Sequence, residues 1–322
     1  MTHHKVILDL DPGIDDSLAL ILAVMATSIE ILGVSIVSGN VDSDQGARNA
    51  TYVLDFLNQH QIPIIKGADR PLVIAYQDAR DTHGQDGLSN QIFASEDRSC
   101  DQDVLSFYRS AVDHFPQSIS LLALGPLTNL AQVAQADPGL LIRFKEIRIM
   151  GGVHTVQGNC SPVGEYNFWC DPHAAQLFFN QADLPPTYLY TLDVTYPILM
   201  TPNLREYIHQ LRRPLAQFVW TITQFYVDFH WQAERTLGCV INDPLVVADL
   251  LEPMVTFKPA HVTIQTQEDC RGQSCVTYQP QGPIQVSQTV DSHHFFTHFL
   301  QTLFQLDPEV IAHDLDYYQL LK

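Results

Sequence analysis

The sequence predicts an α/β fold, built on a single open, mostly parallel sheet with helices on both faces and a site at the carboxyl ends of the strands. Three observations predict it. Short continuous apolar runs alternate with stretches of helical periodicity over the first two thirds of the chain, the pattern of strands buried on both faces. Several of these runs finish in Asp, Asn or Gly, which gathers polar groups along one rim. No repeat, low-complexity block or linker interrupts the 322 residues, so 1–322 reads as one domain.

The elements follow in order. Residues 5–10 are a short apolar run and predict the first strand, with an apolar helix over 17–25. The β-branched run 29–37 ends in Ser38-Gly39-Asn40, residues 47–58 have helical periodicity, and 62–65 predict a third strand. Helices over 104–114 and 127–136 flank a strand over 119–124, which ends in Gly125-Pro126. A strand over 147–150 runs into Gly151-Gly152, a helix covers 172–179, and the strand 188–192 is closed by Asp193. Long helical stretches then occupy 204–211 and 215–231, followed by Asn242-Asp243-Pro244 and a helix over 245–251. Strand-like pieces at 262–265, 275–278 and 284–288 and a helix over 293–305 complete the chain.

Seventeen Lys+Arg stand against 36 Asp+Glu, for a net charge of −19 and a pI near 4.9. Phosphate binding needs clustered cations, so this charge argues against nucleic acid and against an anionic membrane surface. No run approaches the roughly 20 apolar residues that span a bilayer. The N-terminal stretch, Met1-Thr2-His3-His4-Lys5, enters a strand at once and leaves no room for a signal peptide. Cysteines 100, 160, 170, 239, 270 and 275 form no CxxC pair and read as free thiols of a cytoplasmic protein.

The strongest local signal is Asp9-Leu10-Asp11-Pro12-Gly13-Ile14-Asp15-Asp16, four carboxylates where the first strand meets the first helix. Crowded carboxylates beside a buried strand end repel one another, and a hard divalent cation, Ca²⁺ or Mg²⁺, resolves the conflict. The plainer reading is that Asp15 and Asp16 favour the helix dipole and one of them caps it. A second cluster, Met150-Gly151-Gly152 with Asn159 through Glu165 and Asn167, offers donors and acceptors to a polyhydroxylated ligand, or makes ordinary turns. Asn242-Asp243-Pro244 suits a simple helix start, and His83-Gly84-Gln85-Asp86-Gly87-Leu88 is a polar loop. His293-His294 has no ligand spacing and takes no role. GxGxxG, GxxxxGK[ST] and GxSxG are all missing, which removes the simplest dinucleotide, phosphate-loop and serine-hydrolase readings.

Taken together these residues resemble a family. Asp9 through Asp16, Gly39-Asn40, His83-Gly84 to Gly87-Leu88, Leu124-Gly125-Pro126-Leu127-Thr128-Asn129, Met150-Gly151-Gly152, Asn159 through Asn167 and Asp243-Pro244 are similar, in order, to motifs of the inosine-uridine-type nucleoside hydrolases. They span about residues 5 to 250. The resemblance implies a Ca²⁺-dependent enzyme that hydrolyses the N-glycosidic bond of ribonucleosides to ribose and free base, serves nucleoside salvage, and assembles as a homo-oligomer, dimer or tetramer. It further implies that Asp11, Asp16, Asp243 and the carbonyl of Leu124 bind the ion, and that Asp11 takes the proton of the attacking water. Asp15, Asn40, Asn159, Glu165 and Asn167 would hold the ribose hydroxyls, with Met150 in the sugar pocket and Asn242 beside the substrate.

The chemistry agrees, since positive charge builds on the sugar ring as the bond breaks and carboxylates favour it. One position departs from the pattern. The subgroup that prefers inosine and uridine has His immediately before the last metal-binding Asp, where this chain has Asn242. Asparagine donates a hydrogen bond but is no general acid at neutral pH. His83 is the first candidate for the missing acid; His230, at the end of a long helix, is second and otherwise reads as a surface residue. Two alternatives use the same residues: a Mg²⁺-dependent phosphatase with Asp9 and Asp11 as nucleophile and acid, and a nucleoside-binding protein without turnover.

Overall fold

Strand β1 (His4–Leu10) shows how the sheet is built. Val6, Leu8 and Leu10 point into one apolar core and Ile7 into another, and all four are fully buried. Period-two alternation thus feeds two layers at once, each buried aliphatic side chain contributing about 1.5–3 kcal/mol. The computed structural model describes residues 3–91 and 96–322; Met1 and Thr2, where the N-terminal reading begins, lie outside them.

Strands β2 (Ile29–Ile36), β3 (Ile64–Lys66), β4 (Ile119–Ala123), β5 (Glu146–Met150) and β6 (Thr187–Tyr190) join β1 in parallel. A separate antiparallel pair, β7 (Leu199–Met200) and β8 (Cys239–Val240), follows. Strands β9 (Val255–Ile264), β10 (Ser274–Tyr278) and β11 (Ile284–Val290) then extend the main sheet. Its order is β10-β9-β11-β6-β5-β4-β1-β2-β3. β11 lies parallel to β6, while β9 runs antiparallel to β10 and β11, so the sheet is mostly parallel as expected. The chain leaves β1 toward β2 and β3 and then returns to place β4 on the other side of β1. That reversal opens a crevice at the carboxyl ends of β1 and β4, the place where open α/β sheets bind ligands.

Several boundaries differ from the sequence expectation for identifiable reasons. The first helix covers Ile14–Met25, three residues earlier than expected, because Asp15 and Asp16 occupy its first turn and interrupt the apolar pattern. Strand β9 is ten residues long, whereas only its end was legible, since Pro259 sits inside it and proline argues against a strand interior. The helices Arg80–His83, Tyr166–Cys170 and Leu192–Thr195 are too short to show a period, and Pro308–Tyr317 was not anticipated. All six cysteines are free, in line with the reading of thiols. No helix among the described residues is long and apolar enough to cross a membrane.

Candidate active site

Four neighbouring strands deliver the rim. Asp11 follows β1, Asn40 follows β2, Leu124 follows β4, and Met150 ends β5. A cavity opens there, lined by Asp15, Asn40, His83, Leu124, Met150, Asn159, Glu165, Asn167, Asn242 and Asp243. The structure therefore brings together ten residues singled out from the sequence. Asp11 and Asp16 lie buried behind the wall, tied to it through Asn40.

The Asp11 carboxylate is wedged. Its Oδ2 accepts from Asn40 N at 2.7 Å, and its Oδ1 is buried with no hydrogen-bond partner among the described residues. A Cβ on Gly39 would stand 2.0 Å from Oδ2, and one on Gly125 2.5 Å from Oδ1, so both motif glycines are there to let the chain pass the carboxylate. Asp16 accepts from Asp11 N, Gly13 N and Asn40 Nδ2, and so serves the capping role as well. Asp243 precedes the Pro244–Leu251 helix but makes no capping bond, which sets aside the plain helix-start reading of its side chain.

One oxygen from each of Asp15, Asp16 and Asp243 lies within 4.8 Å of the others. This triplet draws in Asp15, which the resemblance assigns to the sugar. Burial, followed by neighbouring carboxylates, pushes Asp11 and Asp243 well above the usual carboxylate range and Asp16 to about 7. No Lys or Arg lines the cavity. Buried anionic oxygens without a countercharge, one of them orphaned, fit a hard divalent cation.

Around this floor the remaining motifs explain themselves. Glu165 accepts from Gly152 N, Asn167 N and Phe168 N, and burial pushes it up to about 7. Asn167 Nδ2 donates to the carbonyls of Leu124 and Met150. Asn159 is exposed at the mouth, where its Oδ1 accepts from Tyr166 N. Asn49 donates to Pro12 O and Asp86 O and so ties the His83–Leu88 loop against the first strand end. Asn129 bonds Asp9 Oδ2 and Ala68 N and is structural. Asp193 accepts from the backbone of residues 154–156 and anchors that loop outside the cavity.

Asp9 does not reach the cavity. It is fully buried, and its Oδ2 accepts from Ser35, Tyr108 and Asn129. A sealed carboxylate cannot meet a phosphate beside Asp11, which removes the geometric basis of the phosphatase alternative.

Both histidine candidates are buried, 4% exposed for His83 and 5% for His230, so neither is a surface residue. They flank Tyr226, with ring centroids at 5.1 and 4.5 Å. Asn242 Nδ2 donates to Asp15 Oδ2 at 3.1 Å, and Tyr226 OH donates to the same oxygen at 3.3 Å. Sequence reasoning missed the aromatic wall of Tyr166, Tyr196, Tyr226 and Phe229, and Glu234 beside it. The signal was the four-residue spacing of Tyr226, His230 and Glu234 along one face of the long helix Pro214–Glu234.

Residues 6–297 match the profile of the inosine-uridine preferring nucleoside hydrolases. The chain is 34% identical over 258 residues to an inosine-uridine preferring nucleoside hydrolase of Leishmania major, covering 78% of this chain and 80% of that one. It is 32% identical over 305 residues to a probable uridine nucleosidase of Oryza sativa, covering 89% and 92%. Among solved structures it superposes on a plant nucleoside hydrolase with a TM-score of 0.89 at 27% identity, covering 93% and 98% of the two chains. A purine-preferring ribonucleoside hydrolase of Gardnerella vaginalis gives a TM-score of 0.87 at 27% identity, with 96% and 99% covered. The chain belongs to the inosine-uridine preferring nucleoside hydrolase family and is a nucleoside hydrolase.

Proposed function

We propose that this enzyme cleaves the N-glycosidic bond of ribonucleosides by attack of water on C1′ of the ribose, with Asp11 as the base. The observation that carries this reading is the Asp11 carboxylate, fixed by Asn40 on one oxygen and buried with no hydrogen-bond partner among the described residues on the other. Its immobility keeps it aimed at the nucleophile.

Asp11, Asp16, Asp243 and the Leu124 carbonyl would hold a divalent cation, Ca²⁺ by the family resemblance. Bound there, it supplies Lewis acidity toward an oxygen nucleophile and an anchor for vicinal hydroxyls. Asp15, Asn40, Asn159, Glu165 and Asn167 hold the ribose through its hydroxyls, and Met150 packs against the ring. Asn242 keeps Asp15 in place through its bond to Oδ2. The carboxylates around the cavity favour the positive charge that develops on the sugar. The continuous sheet supports one folded unit. A salvage role and self-association as a dimer or tetramer rest on the resemblance, and a cytoplasmic location on cysteine usage.

The test is a ribose-release assay across purine and pyrimidine ribonucleosides, with 2′-deoxy controls, before and after chelation. Expected are turnover that chelator abolishes and Ca²⁺ restores, and discrimination of about 10⁴-fold against 2′-deoxyadenosine, because buried partners of the missing hydroxyl stay unpaired. Full activity in excess chelator, or equal kcat/KM for adenosine and 2′-deoxyadenosine, refutes the assignment.

A further inference from the structure

The leaving base needs a proton, and Asn242 cannot give one. The two buried histidines beside Tyr226 differ in how the backbone holds them. His83 Nδ1 accepts from Ile14 N at 3.0 Å, so that nitrogen carries no proton. Becoming an imidazolium would require His83 to give up this bond and leave the buried Ile14 N–H unpaired. His230 is held in the opposite sense. Its Nδ1 lies 2.7 Å from the Tyr226 carbonyl, which only accepts, so Nδ1 carries the proton. His230 takes up a second proton at Nε2 without losing any bond. Nε2 has no partner among the described residues, and the side chain lines the cavity.

We propose that His230 is the general acid for the leaving base, supplying the imidazole that position 242 lacks. This rests on the hydrolytic reading above and goes beyond it by naming the proton donor. As the C1′–N bond breaks, its electron pair passes to the base, and the proton on His230 Nε2 goes to a nitrogen or oxygen of that base. Water's oxygen bonds to C1′ and its proton passes to Asp11; proton return from Asp11 to His230 through solvent closes the cycle. The titratable groups that share the wall with His230 are Tyr226 and Glu234 on its own helix, His83 on the Arg80–His83 helix, and Asp15 beyond Tyr226. Tyr226 holds the ring through a T-shaped ring contact and through its backbone carbonyl.

The experiment compares inosine and uridine, whose bases leave poorly without a proton, with p-nitrophenyl riboside, whose phenolate leaves unaided. In His230→Gln the ratio of kcat for inosine to kcat for p-nitrophenyl riboside falls by about 100-fold, within the 10²–10⁴ range of general acid catalysis. Turnover of p-nitrophenyl riboside reports directly that the variant is folded and holds its metal; His230→Asn, smaller and equally uncharged, repeats the measurement if Gln fails to fold. Equal slowing of both substrate types, or an unchanged ratio, overturns the proposal. A wild-type enzyme that releases ribose from no ribonucleoside with Ca²⁺ present refutes the underlying hydrolytic reading instead, and the acid role falls with it.

Discussion

Gly125→Ala tests the position of Asp11 without touching its chemistry. The added methyl would stand 2.5 Å from Asp11 Oδ1 and 2.9 Å from its Cγ, against an ordinary contact of 3.4 Å. The carboxylate must therefore move by about 0.9 Å, and an error of roughly 1 Å at a reacting group costs on the order of 10²-fold. Asp11 has little room to yield, because Oδ2 is bonded to Asn40 N and Gly39 closes its other side. Backbone strain contributes nothing, since neither Gly39 nor Gly125 adopts a positive φ. Gly39→Ala is expected to be at least as damaging, with its Cβ 2.0 Å from Oδ2. Gly139→Ala is the control: no atom lies within 4 Å of its Cβ, and it should stay within about twofold of wild type. Ribose release gives kcat/KM for the three variants, and thermal melting separates a displaced carboxylate from an unfolded chain. A folded Gly125→Ala enzyme with more than a third of wild-type kcat/KM would refute the placement of Asp11 as the base.

Cation affinity should weaken as pH falls through about 7, because burial and neighbouring carboxylates push Asp16 to about 7 and Asp11 and Asp243 well above the usual carboxylate range, so protons occupy the site and the ion must displace them. Calcium titrations at pH 6 and pH 8 giving the same Kd would contradict this. Glu165→Gln should destabilise by about 1–3 kcal/mol and raise KM, since an amide cannot accept on both sides and at least one of Gly152 N, Asn167 N and Phe168 N loses its partner; an unchanged melting temperature counts against it. His83→Ala should also cost about 1–3 kcal/mol by stranding the buried Ile14 N–H, and should slow inosine and p-nitrophenyl riboside alike. A selective loss on inosine would return the acid role to His83.

What the sequence determined by itself is the sheet and the identity of the rim. Apolar runs such as residues 5–10 and 119–124 predict strands with two buried faces, and each is followed by the polar or glycine residues that gather at the cavity rim. The residue types at Asp11, Asn40, Glu165, Asn167 and Asp243 carry their chemistry wherever they are placed, which is why an acidic, polar site could be expected at residue level. Only the tertiary structure decided which of these groups is sealed, which is orphaned and which way each proton points. Asp9 and Asp11 stand two residues apart and look equivalent in the chain; Asp9 is held away from the cavity by Ser35, Tyr108 and Asn129, whereas Asp11 is tied to the cavity wall through Asn40. His83 and His230 were separable only through the backbone groups that meet their Nδ1 atoms, Ile14 N in one case and the Tyr226 carbonyl in the other. The physical reason is range. Periodicity is local and written along the chain, whereas desolvation and hydrogen-bond direction depend on neighbours that the sequence separates by dozens to hundreds of residues, as Asp15 and Asn242 are.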